Sequence, residues 1–499
     1  ERPFITMTDR RPGFGKWPAQ KGCTPAESSP DGHAERVRIP PAPPNASRVH
    51  QVRTSVQGQG SGLTLAARCC SGRRPTASAA SSGDSTVVQR GLQLVDELQQ
   101  IRYLCCTLPG MDPSQFTSKT YGEVVKTQGR FGFYTFLPSR LPRQLDLSSA
   151  AVAALSDADR ALGRLAGAGR LLPNPHLLVN AYLRREAVAS SRIEGTEATI
   201  SEVLDAEATG TIGHDVREVL NYIAAMERGL DLIESLPISR RLIEELHAVL
   251  LRGVRGGERD PGHVRTSPNW IGSTDNTPAT AVFVPPPATE MEQGLSDWEH
   301  FVHERSELPP LIRCALLHYQ FETLHPFLDG NGRIGRLLIT FFLISEGHLP
   351  QPLLYLSGYF EDHKPEYYDR LQAVRERGEL DEWLIFFLTA VTTQANDAVG
   401  RSERLIDLRE DYLARLQGSR SRAREVVDLL LMNPIATTRS VSNRLEITLQ
   451  GATNLLKQLA AHGIVQPLPR VSGRSNRWIA RDLHDALVSP TPVTPGADR

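Results

Sequence analysis

Two long apolar runs dominate the pattern of the chain. Residues 311–324 (LIRCALLHYQFETL) and 334–345 (IGRLLITFFLIS) are apolar around their whole circumference. Both suit buried helices and are too long for ordinary strands. The neighbouring pattern is amphipathic. Helical spacing marks 148–165, with Asp or Ser near its start as a cap. It marks 176–194, between the breaker Pro173-Asn-Pro175 and Gly195, and then 216–233, 239–251 and 382–398. Residues 121–147 mix β-prone residues with Pro and read as extended wrapping. Residues 279–287 (ATAVFVPPP) alternate before a Pro block and predict a short edge hairpin.

The C-terminal fifth has its own rhythm. A charged helix over 401–416 connects to three short helices, 423–431, 438–445 and 449–462. The break at 446–449 fits a helix-turn-helix. A two-stranded wing from 463–465 to 477–479 follows, with a basic tip of Arg470, Arg474 and Arg477. Residues 1–112 are rich in Pro, Gly, Ser, Ala and Arg. Beyond a short helix over 87–104 they lack the apolar pattern that offsets ordering entropy. They read as a disordered leader, with a nucleic-acid or targeting arm as the functional alternative. The expected biological start is near Met111. The fold class expected is mainly α: a helical core over 113–215 and 216–400 with a short β-hairpin, a linker helix at 401–422, a winged helix-turn-helix at 423–485, and a disordered tail from 486.

Between the two apolar runs lies His325-Pro326-Phe327-Leu328-Asp329-Gly330-Asn331-Gly332-Arg333-Ile334-Gly335-Arg336. This is an anion site in outline. Gly330 and Gly332 let the backbone approach a ligand. The first turn of the second helix presents unpaired N–H groups and the positive end of its dipole, which suits phosphate. Arg333 and Arg336 are three apart and reach the same helix mouth. Asp329 is the kind of oxygen ligand Mg²⁺ takes beside a nucleotide. His325 is the one group here that takes a proton near neutral pH.

These residues resemble the signature of the Fic family, and the resemblance implies transfer of AMP from ATP to a protein hydroxyl. It implies His325 as base, Asp329 as Mg²⁺ ligand, and ATP contacts by Phe327, Gly330, Asn331, Gly332, Arg333 and Arg336. A second stretch, Ser190-Ser191-Arg192-Ile193-Glu194-Gly195, resembles the family's inhibitory motif in its N-terminal form. There Ser190 and Glu194 share a helix face, and Glu194 would take Arg336 in a bidentate pair, in the place of the ATP γ-phosphate. The resemblance further implies a target-binding flap at Ala281, Val282, Phe283 and Val284, working by strand addition. It places Tyr359, Tyr367 or Tyr368 on the adenine side and implies a homodimer. Fic relatives also transfer phosphate, UMP or phosphocholine, or remove AMP. A DNA-binding regulator acting through 423–485 is the alternative from another class.

Charge and cysteines narrow the setting. A net charge of −1 argues against a polycation built for nucleic acid. The only strong base on the third short helix is Lys457, thin for phosphate contact. Of six cysteines, Cys23, Cys69, Cys70, Cys105 and Cys106 precede residue 107, and Cys314 lies in an apolar run. No disulfide framework or metal-ligand spacing emerges, which fits a reducing cytoplasm. No apolar run reaches membrane-spanning length.

Overall fold

A computed structural model describes residues 52–56, 63–67, 111–127, 132–171, 175–273, 277–418, 421–469 and 476–489. The helix expected at 87–104, the five early cysteines, and Arg470 and Arg474 lie outside these residues. The chain divides into two compact units, Glu1–Asp96 and Glu97–Arg499. In the first, β1 (Val52–Val56) pairs antiparallel with β2 (Leu63–Ala67).

The second unit opens with a hairpin where extended wrapping was expected. β3 (Gly122–Lys126) and β4 (Tyr134–Pro138) pair antiparallel, with Val124 opposite Phe136. The prolines that argued against strands fall at or beyond the strand ends, so no ladder N–H is lost. Phe136 is fully buried and packs on Phe283, ring centroids 6.0 Å apart.

Helices then build the core. Ser148 Oγ accepts the Ala151 N–H at 3.1 Å and caps α1 (Ser149–Leu171). α2 (Pro175–Ile193) is followed by Glu194 and by Gly195, whose φ of 90° needs glycine. α3 (Ile200–Thr209), absent from the sequence expectation, starts at a Thr199/Glu202 capping box. α4 (His214–Ile233) and α5 (Arg240–Leu250) follow, the latter capped by Ser239. Next come α6 (Ala288–His303) and the two apolar helices, α7 (Pro310–Leu324) and α8 (Asn331–Ser345). Both are buried on nearly every face, as their unbroken apolar pattern requires.

After α9 (Ser357–Asp362) and α10 (Lys364–Arg377), the expected boundary at residue 400 falls inside one continuous helix, α11 (Leu380–Arg415). Its second half stays helical because it keeps a buried stripe of Arg401, Ser402, Leu405 and Tyr412. The C-terminal part contains α12 (Ala423–Met432), β5 (Ile435–Thr437), α13 (Thr438–Leu445), α14 (Leu449–Ala461), β6 (Gln466–Pro467), β7 (Arg477–Ile479) and α15 (Arg481–Val488). Its sheet has three strands in the order β5-β7-β6 rather than two. α15 runs from the expected winged-helix unit three residues into the expected disordered tail, because Ala486 and Leu487 are buried beside Leu483. This part docks on α3: Arg477 Nη1 pairs with Asp205 at 2.8 Å, and Asn433 Nδ2 donates to Leu204 O at 2.9 Å.

The segment read as a flap hairpin is no regular hairpin. A 3-10 turn over Pro278–Thr280 precedes a single antiparallel bridge between Ile271 and Phe283. Ala281, Phe283 and Val284 are buried, and only Val282, 54% exposed, faces out. The Pro block that follows removes the donors a longer ladder needs. Among the described residues no helix is long and apolar enough to cross a membrane.

Candidate active site

The site forms where α7 turns into α8. His325 caps α7 in the left-handed region at φ 50°, its N–H closing on Phe321 O at 2.9 Å. Gly330, at φ 77°, swings the chain into α8. Asn331 pins the turn: its Oδ1 accepts the Phe327 N–H and its Nδ2 donates to Phe327 O, both at 2.8 Å. Phe327 is fully buried and stacks on His247 at 3.8 Å. His247 Nδ1 accepts the Gly262 N–H at 2.9 Å, so its Nε2 carries the proton and donates to Asp329 O at 2.9 Å. Burial pushes the His247 pKa down to about 4, which keeps this tautomer neutral.

Arg265 closes the other side. Its guanidinium donates to His325 O at 2.8 Å, Leu324 O at 3.2 Å and Pro286 O at 2.6 Å. Burial lowers its pKa to about 10, so it stays a cation. His247 and Arg265 therefore shape a loop whose motif does not contain them. Two expectations change accordingly. Asn331 and Phe327, expected as nucleotide contacts, are engaged in holding the loop. Tyr367, expected beside adenine, is buried with its hydroxyl 2.8 Å from His318 Nε2, while Tyr368 is 43% exposed.

The charges face inward. His325 is half-buried and its Nδ1 has no hydrogen-bond partner. Burial first, then the Arg265 charge, pushes its pKa down to about 3 against the pull of Glu194, so the imidazole is neutral and able to accept a proton. Arg333 is buried, and its Nε and Nη1 lack hydrogen-bond partners. Leaving such donors unmet costs on the order of 1–3 kcal/mol each, which an arriving anion would remove. Asp329 Oδ1 accepts the Gly330 N–H at 2.6 Å and lies 3.5 Å from Arg333 Nη2. Its side chain is 38% exposed. A single half-exposed carboxylate fits Mg²⁺, which keeps waters and phosphate oxygens as its other ligands. Among the described residues no group of three or more His, Cys, Asp or Glu could hold a metal ion alone.

Glu194 reaches this mouth from the end of α2. Its Oε1 accepts from Arg336 Nη2 at 2.7 Å. The pair is not the bidentate one expected. Arg336 Nε donates to Ser190 Oγ at 2.8 Å and Nη2 to Ser190 O at 2.9 Å, so the i, i+4 spacing of Ser190 and Glu194 wraps one guanidinium from two sides. Arg336 is 2% exposed. Burial would raise the Glu194 pKa, but Arg336, then Arg333, outweigh it and hold the carboxyl below its ordinary range. A Cβ on Gly332 would collide with Glu194 Oε1, so the carboxylate rests on the bare backbone of the first turn of α8.

Behind it, Glu186 accepts from Tyr222 OH at 2.8 Å and from Ser357 N at 3.1 Å. Glu322, buried with Oε1 unpartnered, has its pKa raised to about 7 by burial, despite Arg336 nearby.

Comparison with known proteins places family domains on these elements. Residues 152–231 match the Fic/DOC family N-terminal model and residues 237–343 the Fic/DOC family model. The chain is 29% identical over 169 residues to a protein adenylyltransferase Fic of Drosophila grimshawi, covering 32% of each chain. It is 29% identical over 172 residues to protein adenylyltransferase fic-1 of Caenorhabditis elegans, covering 32% of this chain and 31% of that one. The matches thus span about a third of those relatives. A solved Fic family protein from Desulfovibrio desulfuricans G20 is similar at a TM-score of 0.46 and 21% identity, covering 68% of this chain and 98% of that one. Fic-1 from C. elegans is similar at 0.41 and 21% identity, covering 51% and 74%.

Proposed function

On a chain that carries the Fic/DOC N-terminal and Fic/DOC domains, we propose a protein adenylyltransferase that moves AMP from ATP to a Ser, Thr or Tyr hydroxyl of a target protein and is held off by Glu194. One observation carries this reading: a neutral His325 shares the mouth of α8 with a buried guanidinium, Arg333, whose Nε and Nη1 await an acceptor. A base beside an anion cradle is what attack on a phosphate ester requires.

The steps follow from the side chains. The first turn of α8, with the Gly330 and Gly332 backbone, receives the phosphates, and Arg333 supplies two charge-assisted donors. Asp329 would hold Mg²⁺, which when bound offsets phosphate charge. The target hydroxyl attacks the α-phosphorus, its proton passes to His325, and pyrophosphate leaves. The negative phosphates raise the His325 pKa from its depressed value toward neutrality, which strengthens the base where it is needed. Arg336, once free of Glu194, takes the far phosphate.

Val282, the exposed member of its segment, faces out beside a strand-like bridge and fits a backbone contact to the target. The order of α12, β5, α13, α14, β6 and β7 supports a winged helix-turn-helix reading for 423–485. With Lys457 as its only strong base, α14 favours protein docking over DNA.

The test is mass spectrometry of proteins incubated with Mg·ATP and the Glu194→Gly variant. An AMP adduct on hydroxyl side chains supports the reading. A phosphate adduct, or none, refutes it.

A further inference from the structure

Glu218 belongs to neither motif, yet it reaches Arg333 in one and Thr196 just after the other. It sits on α4, is 2% exposed, and its Oε2 accepts the Thr196 hydroxyl at 2.8 Å. The same oxygen lies 3.8 Å from Arg333 Nη1 and 3.6 Å from Arg255 Nη2. Thr196 follows Glu194 by two residues and is itself buried. Arg255 donates to Glu194 O at 3.0 Å. His214 completes the surroundings, its Nδ1 3.9 Å from Glu218 Oε1. One buried carboxylate therefore faces a phosphate-seeking arginine on one side and the anchorage of the inhibitory segment on the other.

The separation from Arg333 is informative. At 3.8 Å the pair is an ion pair without a hydrogen bond. The charge of Glu218 offsets that of Arg333 and fixes where the guanidinium rests, while the Nε and Nη1 donors stay open. A carboxylate at hydrogen-bond distance would consume them. Without Glu218, and with Asp329 as its remaining counter-ion, 3.5 Å from Nη2 on the half-exposed side, the guanidinium of Arg333 would be drawn toward that one carboxylate.

We infer that Glu218 is a positioning residue with two functions: it aims Arg333 at the nucleotide phosphates, and through Thr196 and Arg255 it anchors the segment that carries Glu194. This rests on the nucleotide-binding reading above, and two substitutions separate the functions. Glu218→Gln keeps the shape and an acceptor for Thr196 but removes the charge. Thr196→Val keeps the charge and removes the anchor.

The experiment measures Mg·ATP dissociation constants by calorimetry, together with transfer rates. In the Glu194→Gly background, Glu218→Gln weakens ATP binding about tenfold, the loss expected when a charged hydrogen-bond donor is misplaced. The kcat at saturating ATP changes less than KM. In the same background Thr196→Val leaves the ATP constant unchanged, whereas with Glu194 intact it raises basal transfer several-fold. Unchanged or tighter ATP binding by the folded Glu218→Gln protein, checked by its thermal transition, overturns the aiming function. Unchanged basal transfer by Thr196→Val overturns the anchoring function. If Glu194→Gly alone binds ATP without transferring AMP, the adenylyltransferase reading fails while the binding test of Glu218 still decides. If it binds no ATP, both fail.

Discussion

Glu194 Oε1 stands 2.7 Å from Arg336 Nη2 and 2.2 Å from where a Cβ on Gly332 would lie. The carboxylate thereby covers the helix mouth and holds the arginine that would take the far phosphate. On the proposed function, inhibition and nucleotide binding would compete for the same few ångströms.

Glu194→Gly removes the competitor and leaves Ser190 on Arg336. A partly buried charged hydrogen bond of this kind contributes on the order of 1.5–3 kcal/mol, so transfer should rise by at least about tenfold. Initial rates with ATP and a protein substrate check this, and a rate equal to wild type contradicts it.

Gly332→Ala separates crowding from release. The new Cβ dislodges Glu194, yet it occupies the ground a phosphate needs. Unlike Glu194→Gly, it should give no activation, and in the Glu194→Gly background ATP affinity should fall more than about tenfold. Calorimetry reads this directly, and activation by Gly332→Ala would show that phosphates pass elsewhere.

Gly229 lies inside α4, where Ala would ordinarily add about 0.5–1 kcal/mol of helix stability. Here the Cβ would run into the ring of Phe341 on α8. Overpacking of that sort costs roughly 1–3 kcal/mol, so the clash wins and the melting temperature should fall. A rise would mean that α4 and α8 yield easily.

How legible was all this in the sequence? The unbroken apolar runs announced α7 and α8, because only helices buried on all sides tolerate that pattern. The motif between them was legible because its glycines and charges have no role in a core. The spacing of Ser190 and Glu194 set them on one helix face, and only the resemblance gave that face a meaning. His247 was not: on an amphipathic helix it looks like any half-buried histidine, and only the fold brings it under Asp329. Arg265 and Glu218 were hidden for the same reason, since each acts across 60 or more residues or between different helices. The hairpin of β3 and β4 was masked by prolines that fall at strand ends. The break expected after residue 400 rested on surface charge, which says little about a helix still buried along one stripe.

Acid should weaken the fold through its buried histidines, and His318 isolates the effect. Burial pushes its pKa down to about 3 from an ordinary 6.5. Since the folded value is depressed, the unfolded chain binds the proton first. Its neutral form therefore contributes fully above 6.5, and stability is lost as pH falls from there toward 3. The slope is about 1.4 kcal/mol per pH unit. His318→Phe lacks this slope, although it leaves Tyr367 OH without its partner at every pH. The wild type's advantage over His318→Phe should therefore shrink between about pH 6.5 and about pH 5 in chemical denaturation. A pH-independent difference contradicts a buried neutral His318.

In the proposed mechanism His325 drives transfer of the α-phosphoryl group while Glu194 blocks it. The direct measurement follows label from ATP traced at the α- or the γ-phosphate into protein, using wild type, Glu194→Gly, and Glu194→Gly with His325→Ala. Protein-bound α-label should rise in Glu194→Gly and fall by about 10²–10⁴ when His325 is also removed, with ATP affinity nearly unchanged. Transfer of γ-label alone, or α-label that persists without His325, would contradict the account.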